Sequence, residues 1–225
     1  MGQGISEVLP FAVGVAIVPI PIIAVILMLF SRRARVNGPL FLLGWIAGLT
    51  VAFGVVYALS EAGDVATDST ADETVAWGKI VLGVVLLLLS VRSWQKRPQP
   101  GATPAMPKWM AGMDTIAPAK ALVLGVLLSA ANPKNLILVI GAATGLAQLG
   151  PTRGEAVVAL AVFVAVGSLS VLIPVVYSIA GGEKASRSLD ELKGWLALNN
   201  SAVMAVLFLV FGAVLIAKGL APLSA

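Results

Sequence analysis

The sequence contains no cysteine and no histidine, and only 12% of its 225 residues are charged. Without cysteine the chain cannot form disulfides, thiolate metal sites or a cysteine nucleophile. Without histidine it lacks the commonest metal ligand and the side chain that most often carries protons near neutral pH. We therefore expect neither a metal site nor a bound cofactor.

Apolar residues are abundant: 59% of the chain is hydrophobic, and the mean hydropathy is +0.99. A soluble domain carries roughly 25% charged residues, so this chain must contain long uncharged runs. Each run of about 20 apolar residues can cross a bilayer. The sequence predicts an all-α membrane protein with six transmembrane helices, at residues 8–30, 39–60, 75–93, 119–146, 156–179 and 201–220.

Basic residues are distributed unevenly among the loops. The first, third and fifth predicted loops hold most of the 15 lysines and arginines, whereas all the charged residues of the second loop are acidic. Cytoplasmic loops of membrane proteins carry the excess of basic residues. The pattern therefore predicts a multi-pass protein of the bacterial inner (plasma) membrane, with both termini outside.

The two halves of the chain resemble each other weakly. Proline-containing breaks occur in the first and fourth spans, at residues 19–21 and 132–135, and a Val-Val-Tyr triplet ends the second and fifth spans. Each half has three spans, so the second half must be inverted relative to the first, as in many secondary transporters. We expect repeats at residues 1–95 and 119–225, with helices 1 and 4 broken. Between them we expect a cytoplasmic linker at 96–118, which either contains a short interfacial helix or packs as a loop against the bundle.

The segment Asn132-Pro133-Lys134-Asn135 lies near the middle of the fourth span. Proline interrupts the preceding helix, and asparagine followed by proline is a favourable start for a new one. A helix start carries partial positive charge and favours anions, and Lys134 adds a full charge. The alternative is that Lys134 only hydrogen-bonds carbonyls freed by the break. Under the inverted repeat, Pro19 and Pro21 would place a second helix start beside the same site.

Other candidates for the substrate path are Ser129, Thr50 and Lys79. Small hydroxyl residues also join helices without any role in transport, and a lysine near a span end can extend to the surface. The pairs Gly44/Gly48 and Gly141/Gly145 either pack helices within the chain or join two chains into a homodimer.

No aspartate or glutamate falls within a predicted span, so the only charges expected at depth are lysines. A proton-coupled carrier usually relays protons through Asp, Glu or His. An anionic substrate with a phosphate, sulfate or carboxylate group fits better. An enzyme is not expected, because catalytic side chains are missing at membrane depth, and nothing indicates nucleic-acid binding.

Four stretches resemble the GAP, or sulfolipid-addressing, protein family of the lysine-exporter (LysE) superfamily. They are residues 19–28, 37–45, 107–110 and 130–136. The resemblance implies six helices in two three-helix repeats, a role in moving cell-envelope lipids or glycolipids across the inner membrane, and functional positions at Asn132, Pro133, Lys134 and Asn135.

The sequence thus favours a transporter or flippase that exports an anionic lipid or glycolipid. The alternatives are an exporter of a small solute, such as an amino acid or organic anion, and a scaffold that binds envelope-biosynthesis partners. The substrate, its energy source and the oligomeric state are left open.

Overall fold

A computed structural model describes residues 2–64, 70–97 and 115–223. Within these ranges the regular structure is entirely helical. The elements are α1 (Gly2–Ile17), α2 (Pro19–Leu29), α3 (Ala34–Asp64), α4 (Thr70–Gln95), α5 (Pro118–Val126), a π segment (Leu127–Ala131), α6 (Pro133–Gln148), α7 (Arg153–Leu220) and a final 3-10 turn (Ala221–Leu223).

Two of the predicted helix breaks are present. Helices α1 and α2 meet at 50° at Val18, and the α5–π segment meets α6 at 57° at Asn132. Val18 and Asn132 both adopt extended backbone angles, and each precedes a proline. Proline disfavours the α conformation in the residue before it and supplies no N–H to the preceding turn, which explains why both helices are interrupted at these points.

Helix α7 is 68 residues long but contains one non-helical residue, Gly182, with φ 54° and ψ −138°. A straight helix would separate Ala159 from Lys218 by about 90 Å. Instead, Gly4 faces Ala159 and Glu7 pairs with Lys218, so both ends of α7 lie beside the first turns of α1. The chain therefore reverses direction at Gly182, and the two halves of α7 run antiparallel.

Among the described residues, three helices are long and apolar enough to cross a membrane, or up to five if each bent pair counts as one span. Large apolar side chains are exposed along them, including those of Leu43, Val51, Leu59, Leu88 and Ile179. Exposed apolar surface of this extent needs lipid around it. The structure is that of a multi-pass membrane protein.

Some sequence boundaries differ from the structure. The predicted fifth loop is helical, because α7 continues through its charged residues with only Gly182 outside helical geometry. Helix α3 begins at Ala34, five residues before the predicted start at Pro39. The predicted interfacial helix falls mainly at residues 98–114, outside the described residues.

The glycine pairs pack helices within the chain, which is one of the two alternatives that the sequence left open. A Cβ at Gly44 would overlap the carbonyl oxygen of Leu122, and one at Gly48 would overlap the Ser129 hydroxyl, so both glycines allow α3 to approach α5 and the π segment closely. Gly141 and Gly145 similarly admit side chains of α1. Close backbone approach at small residues is the usual way helices associate in lipid.

Candidate functional site

Antiparallel packing of α1 against α6 brings the two helix breaks together. Three contacts define the register, and they advance along α1 while they retreat along α6: Glu7 with Gly145, Phe11 with Gly141, and Gly14 with Leu138. One further turn along both helices reaches Val18 and Lys134. The start of α6 therefore lies beside the junction between α1 and α2.

Asn132 forms the N-cap of α6. Its Oδ1 accepts a hydrogen bond from the backbone N–H of Lys134 at 3.1 Å, and Pro133 occupies the first helical position. A proline at this position loses no hydrogen bond, because its nitrogen would have had no helical partner. The local sequence thus fixes where α6 begins, and with it the position of Lys134 in the first turn.

Asn135 closes the end of the π segment. Its Nδ2 donates to the Leu128 carbonyl oxygen at 2.8 Å, and the residue is 0% exposed. In a π-helix this carbonyl would accept from the residue five positions later, which is Pro133 and carries no N–H. The Asn135 amide therefore supplies the hydrogen bond that Pro133 cannot. Its Oδ1 is buried with no partner in the described part of the chain.

Ser129 is also buried, and its hydroxyl donates to the Val126 carbonyl oxygen at 3.0 Å. This hydroxyl lies against Gly48 of α3. Its place in the structure is thus the contact between the π segment and α3, one turn before the helix break.

A cavity of about 350 Å³ lies at the start of α6. Lys134 shares it with two further cations, Arg92 and Lys96, from the last turn of α4 and just beyond it. Asn132 and Ser93 complete its polar side, Pro133 contributes its hydrocarbon ring, and the remaining wall is apolar. The apolar residues are Leu89, Ile137 and Phe208. No acidic residue occurs among the described residues that line this cavity. We refer to it as the cationic cavity.

Arg92 and Lys96 were not singled out in the sequence, where they counted only as basic residues of the third loop. Their spacing of four residues places them on one face of a helical turn, and that spacing was the available signal. Their approach to Lys134 depends on tertiary packing of α4 near α6, which no local pattern indicates.

Pro19 and Pro21 are both buried at the start of α2. A proline nitrogen carries no hydrogen, so Ile20 supplies the only N–H among the first three residues of this helix. The N-cap, Val18, has no side-chain hydrogen bond to offer. The start of α2 therefore contributes a bend and apolar packing near Lys134, and few donors.

Two other candidates lie away from the cationic cavity. The Thr50 side chain is exposed, and its hydroxyl donates to the Ile46 carbonyl oxygen of its own helix at 2.8 Å. Lys79 donates to Oε1 of Gln148, the last residue of α6. The structure therefore places Lys79 at the opposite end of α6 from Lys134.

Glu7, one residue before the predicted first span, lies within a helix, while the absence of acids at membrane depth stays a prediction. Because α1 begins at Gly2, Glu7 lies inside the first bent helix pair, and its carboxylate forms an ion pair with Lys218 of α7. The two side chains are 17% and 34% exposed. Lys218 also lies 5.9 Å from the centroid of the Phe11 ring. This pair joins α1 to the end of α7, far from the cationic cavity.

Two bent helix pairs, an apolar exterior and a cavity lined by three cations define the class: a helical, multi-pass membrane protein. The sequence matches the model of the family described as Sap, sulfolipid-1-addressing protein, over residues 8–221, and the chain belongs to this family. No curated protein and no solved structure matches it. The wider placement in the LysE superfamily stays a prediction.

Proposed function

We propose that this protein is an inner-membrane transporter or flippase that exports an anionic lipid or glycolipid of the cell envelope. The observation that carries the proposal is the composition of the cationic cavity, in which Lys134, Arg92 and Lys96 converge without an acidic residue among the described lining. A buried or half-buried cation is costly at membrane depth unless a partner compensates it. An anionic head group would be that partner, and membership of a sulfolipid-addressing family is consistent with it.

The apolar wall of the cavity favours a lipid over a small solute. Leu89, Ile137 and Phe208 would contact hydrocarbon, while the three cations and the Asn132 side chain would contact the head group. A free organic anion or amino acid could use the cations but would leave this apolar surface unfilled. Export of a small solute is therefore the alternative that the experiment below must distinguish.

We further propose six spans arranged as two inverted repeats. The element order supports this: a bent pair followed by two long helical segments occurs twice, since α7 folds back at Gly182. The packing is reciprocal as well. Helix α3 of the first half packs on α5 of the second at Gly44, and the first half of α7 packs on α1 at Gly167. An exchange of partners of this kind is expected for two related halves.

In this arrangement both termini and the Glu7–Lys218 pair would face the outside, and the cationic cavity would be reached from the cytoplasmic end of α4. The structure would then represent an inward-facing state, in which substrate enters the cationic cavity from the cytoplasmic side. Movement of the α1–α2 and α5–α6 breaks relative to each other would expose Lys134 to the opposite side.

The test is transport of a fluorescent anionic phospholipid between the leaflets of proteoliposomes, measured by chemical quenching of the outer leaflet. Lys134→Ala should slow transport by about ten- to a hundredfold, the effect of one hydrogen bond to a charged group. Lys120→Ala is the matched control, because Lys120 is exposed on α5 and does not line the cavity.

Equal transport by the Lys134→Ala variant and the control would refute the site. Transport of a water-soluble anion with no lipid movement would refute the lipid assignment and favour the small-solute exporter. Absence of both activities in the unmodified protein would leave the scaffold as the better interpretation.

A further inference from the structure

A second cavity, of about 230 Å³, lies between α3 and the first half of α7. Its wall is apolar and includes Phe53, Gly54 and Leu160, and its polar residues are Tyr57, Glu61 and Arg153. None of these residues lines the cationic cavity. We refer to the second cavity as the α3–α7 cavity.

The position of this cavity follows from helix packing. Phe53 and Phe163 are in ring contact with centroids 4.9 Å apart, and Trp45 donates to the Gly167 carbonyl oxygen at 3.3 Å, so α3 and this part of α7 run antiparallel. The cavity extends from Phe53 towards Glu61 near the end of α3, a rise of about 12 Å. Arg153, the first residue of α7, lies at the same end as Glu61. The apolar part therefore lies between α3 and α7, and the charged part lies where α3 ends and α7 begins.

The two charges at this surface have opposite sign. The Tyr57 hydroxyl donates to Glu61 Oε1 at 3.0 Å, which orients the carboxylate. In the described part of the chain no ion pair joins Glu61 to Arg153, although both line the cavity. One cation and one separate anion above an apolar cavity complement a lipid whose head group carries both charges.

We propose that the α3–α7 cavity binds one acyl chain of a zwitterionic phospholipid. The phosphodiester of this lipid would contact Arg153, and its ammonium group would contact Glu61. A purely anionic lipid would gain the first contact but would be repelled by Glu61. This selectivity differs from that of the cationic cavity, where no acid lies among the described lining residues.

Gly54 provides a direct test of occupancy. A Cβ at Gly54 would meet no atom within 4 Å, and Gly54 lines the cavity, so Gly54→Leu can fill the space without overlapping the protein. Gly78→Leu on α4 is the matched control: a Cβ there also meets nothing within 4 Å, and Gly78 lines neither cavity. Both changes replace a helical glycine with a better helix former.

The experiment is native mass spectrometry of the detergent-purified protein, incubated with phosphatidylethanolamine or phosphatidylglycerol of the same acyl chains. Because the cationic cavity would also retain anionic lipid, the comparison is made in the Lys134→Ala background. There we expect retention of phosphatidylethanolamine over phosphatidylglycerol by about fivefold, the effect of a partly exposed ion pair. Gly54→Leu should abolish this preferential retention, and Gly78→Leu should preserve it. Glu61→Gln should reduce the preference, and Arg153→Gln should lower retention of both lipids.

Equal retention of phosphatidylethanolamine by the two glycine variants would overturn the site. A preference unchanged by Glu61→Gln, or equal retention of the two lipids by the Lys134→Ala protein, would overturn the assigned head group. Lys134→Ala should lower retention of phosphatidylglycerol, which the cationic cavity would bind, but should leave retention of phosphatidylethanolamine unchanged, because Lys134 does not line the α3–α7 cavity. Failure of the α3–α7 site and failure of the proposed transport site are therefore distinguishable.

Discussion

The Glu7–Lys218 ion pair offers a quantitative test of how the helices are held together. Glu7→Gln keeps the shape of the side chain, which must fit against Gly145, but removes the charge opposite Lys218. Breaking a fully buried ion pair costs about 3–5 kcal/mol, whereas an exposed pair contributes about 0–1 kcal/mol. Since the two side chains are 17% and 34% exposed, we expect a loss of about 2 kcal/mol.

Thermal unfolding in detergent measures this loss. For a chain of this size 1 kcal/mol corresponds to a shift of roughly 2–4 °C in Tm, so Glu7→Gln should lower Tm by about 4–8 °C. A double-mutant cycle with Lys218→Met separates the pair from the individual side chains. The double variant should be more stable than the sum of the two single losses predicts, because it leaves no unpaired charge.

Additive losses in this cycle would refute the reasoning, since they would mean that Glu7 and Lys218 do not stabilise each other. A Tm change below about 1 °C for Glu7→Gln would also contradict a stabilising ion pair, because so small a change is what an exposed pair contributes.

Three further changes test the helix contacts and breaks. Gly44→Ala should destabilise the protein by about 1–3 kcal/mol in thermal unfolding, because the added Cβ would overlap the Leu122 carbonyl oxygen. The control, Gly78→Ala, should be neutral or stabilising by up to about 1 kcal/mol. Equal effects of the two changes would contradict the close α3–α5 contact. Asn132→Ala should cost about 1 kcal/mol through loss of the cap on α6, and Asn132→Ser should restore most of it; no rescue by serine would argue against capping. Gly182→Ala should cost about 1–3 kcal/mol by the same measurement, because its backbone angles strain any residue with a Cβ; an unchanged Tm would show that the reversal tolerates ordinary residues.

The helix breaks were predictable because their causes are local. A proline acts on the residue before it and on the preceding turn, and an asparagine cap acts within three residues. The positions of Val18 and Asn132 could therefore be inferred from residues 18–21 and 132–135 alone. Membrane insertion was equally predictable, since it depends on composition summed along each segment.

The remaining features depend on tertiary contacts or on weak signals. Glu7 was missed because the first span was drawn from its apolar run, which starts at Val8, whereas the helix begins at Gly2. The fifth loop was predicted wrongly because its charged residues lower the local hydropathy, which reads as a loop between two spans. Several of these residues are nevertheless good helix formers. Arg92 and Lys96 line the same cavity as Lys134 only because α4 packs near α6. This packing has no sequence signature of its own.

The reversal at Gly182 has a mechanical consequence. A loop of several residues would let the two arms of α7 slide or tilt independently, but here a single residue connects two helical arms. The two arms therefore stay side by side: the first packs on α1 at Gly167, and the second accepts a hydrogen bond at the Ala205 carbonyl oxygen from Ser90 of α4. A rearrangement of the helices would bend the chain most easily at Val18, Asn132 and Gly182, where the backbone already lies outside helical geometry.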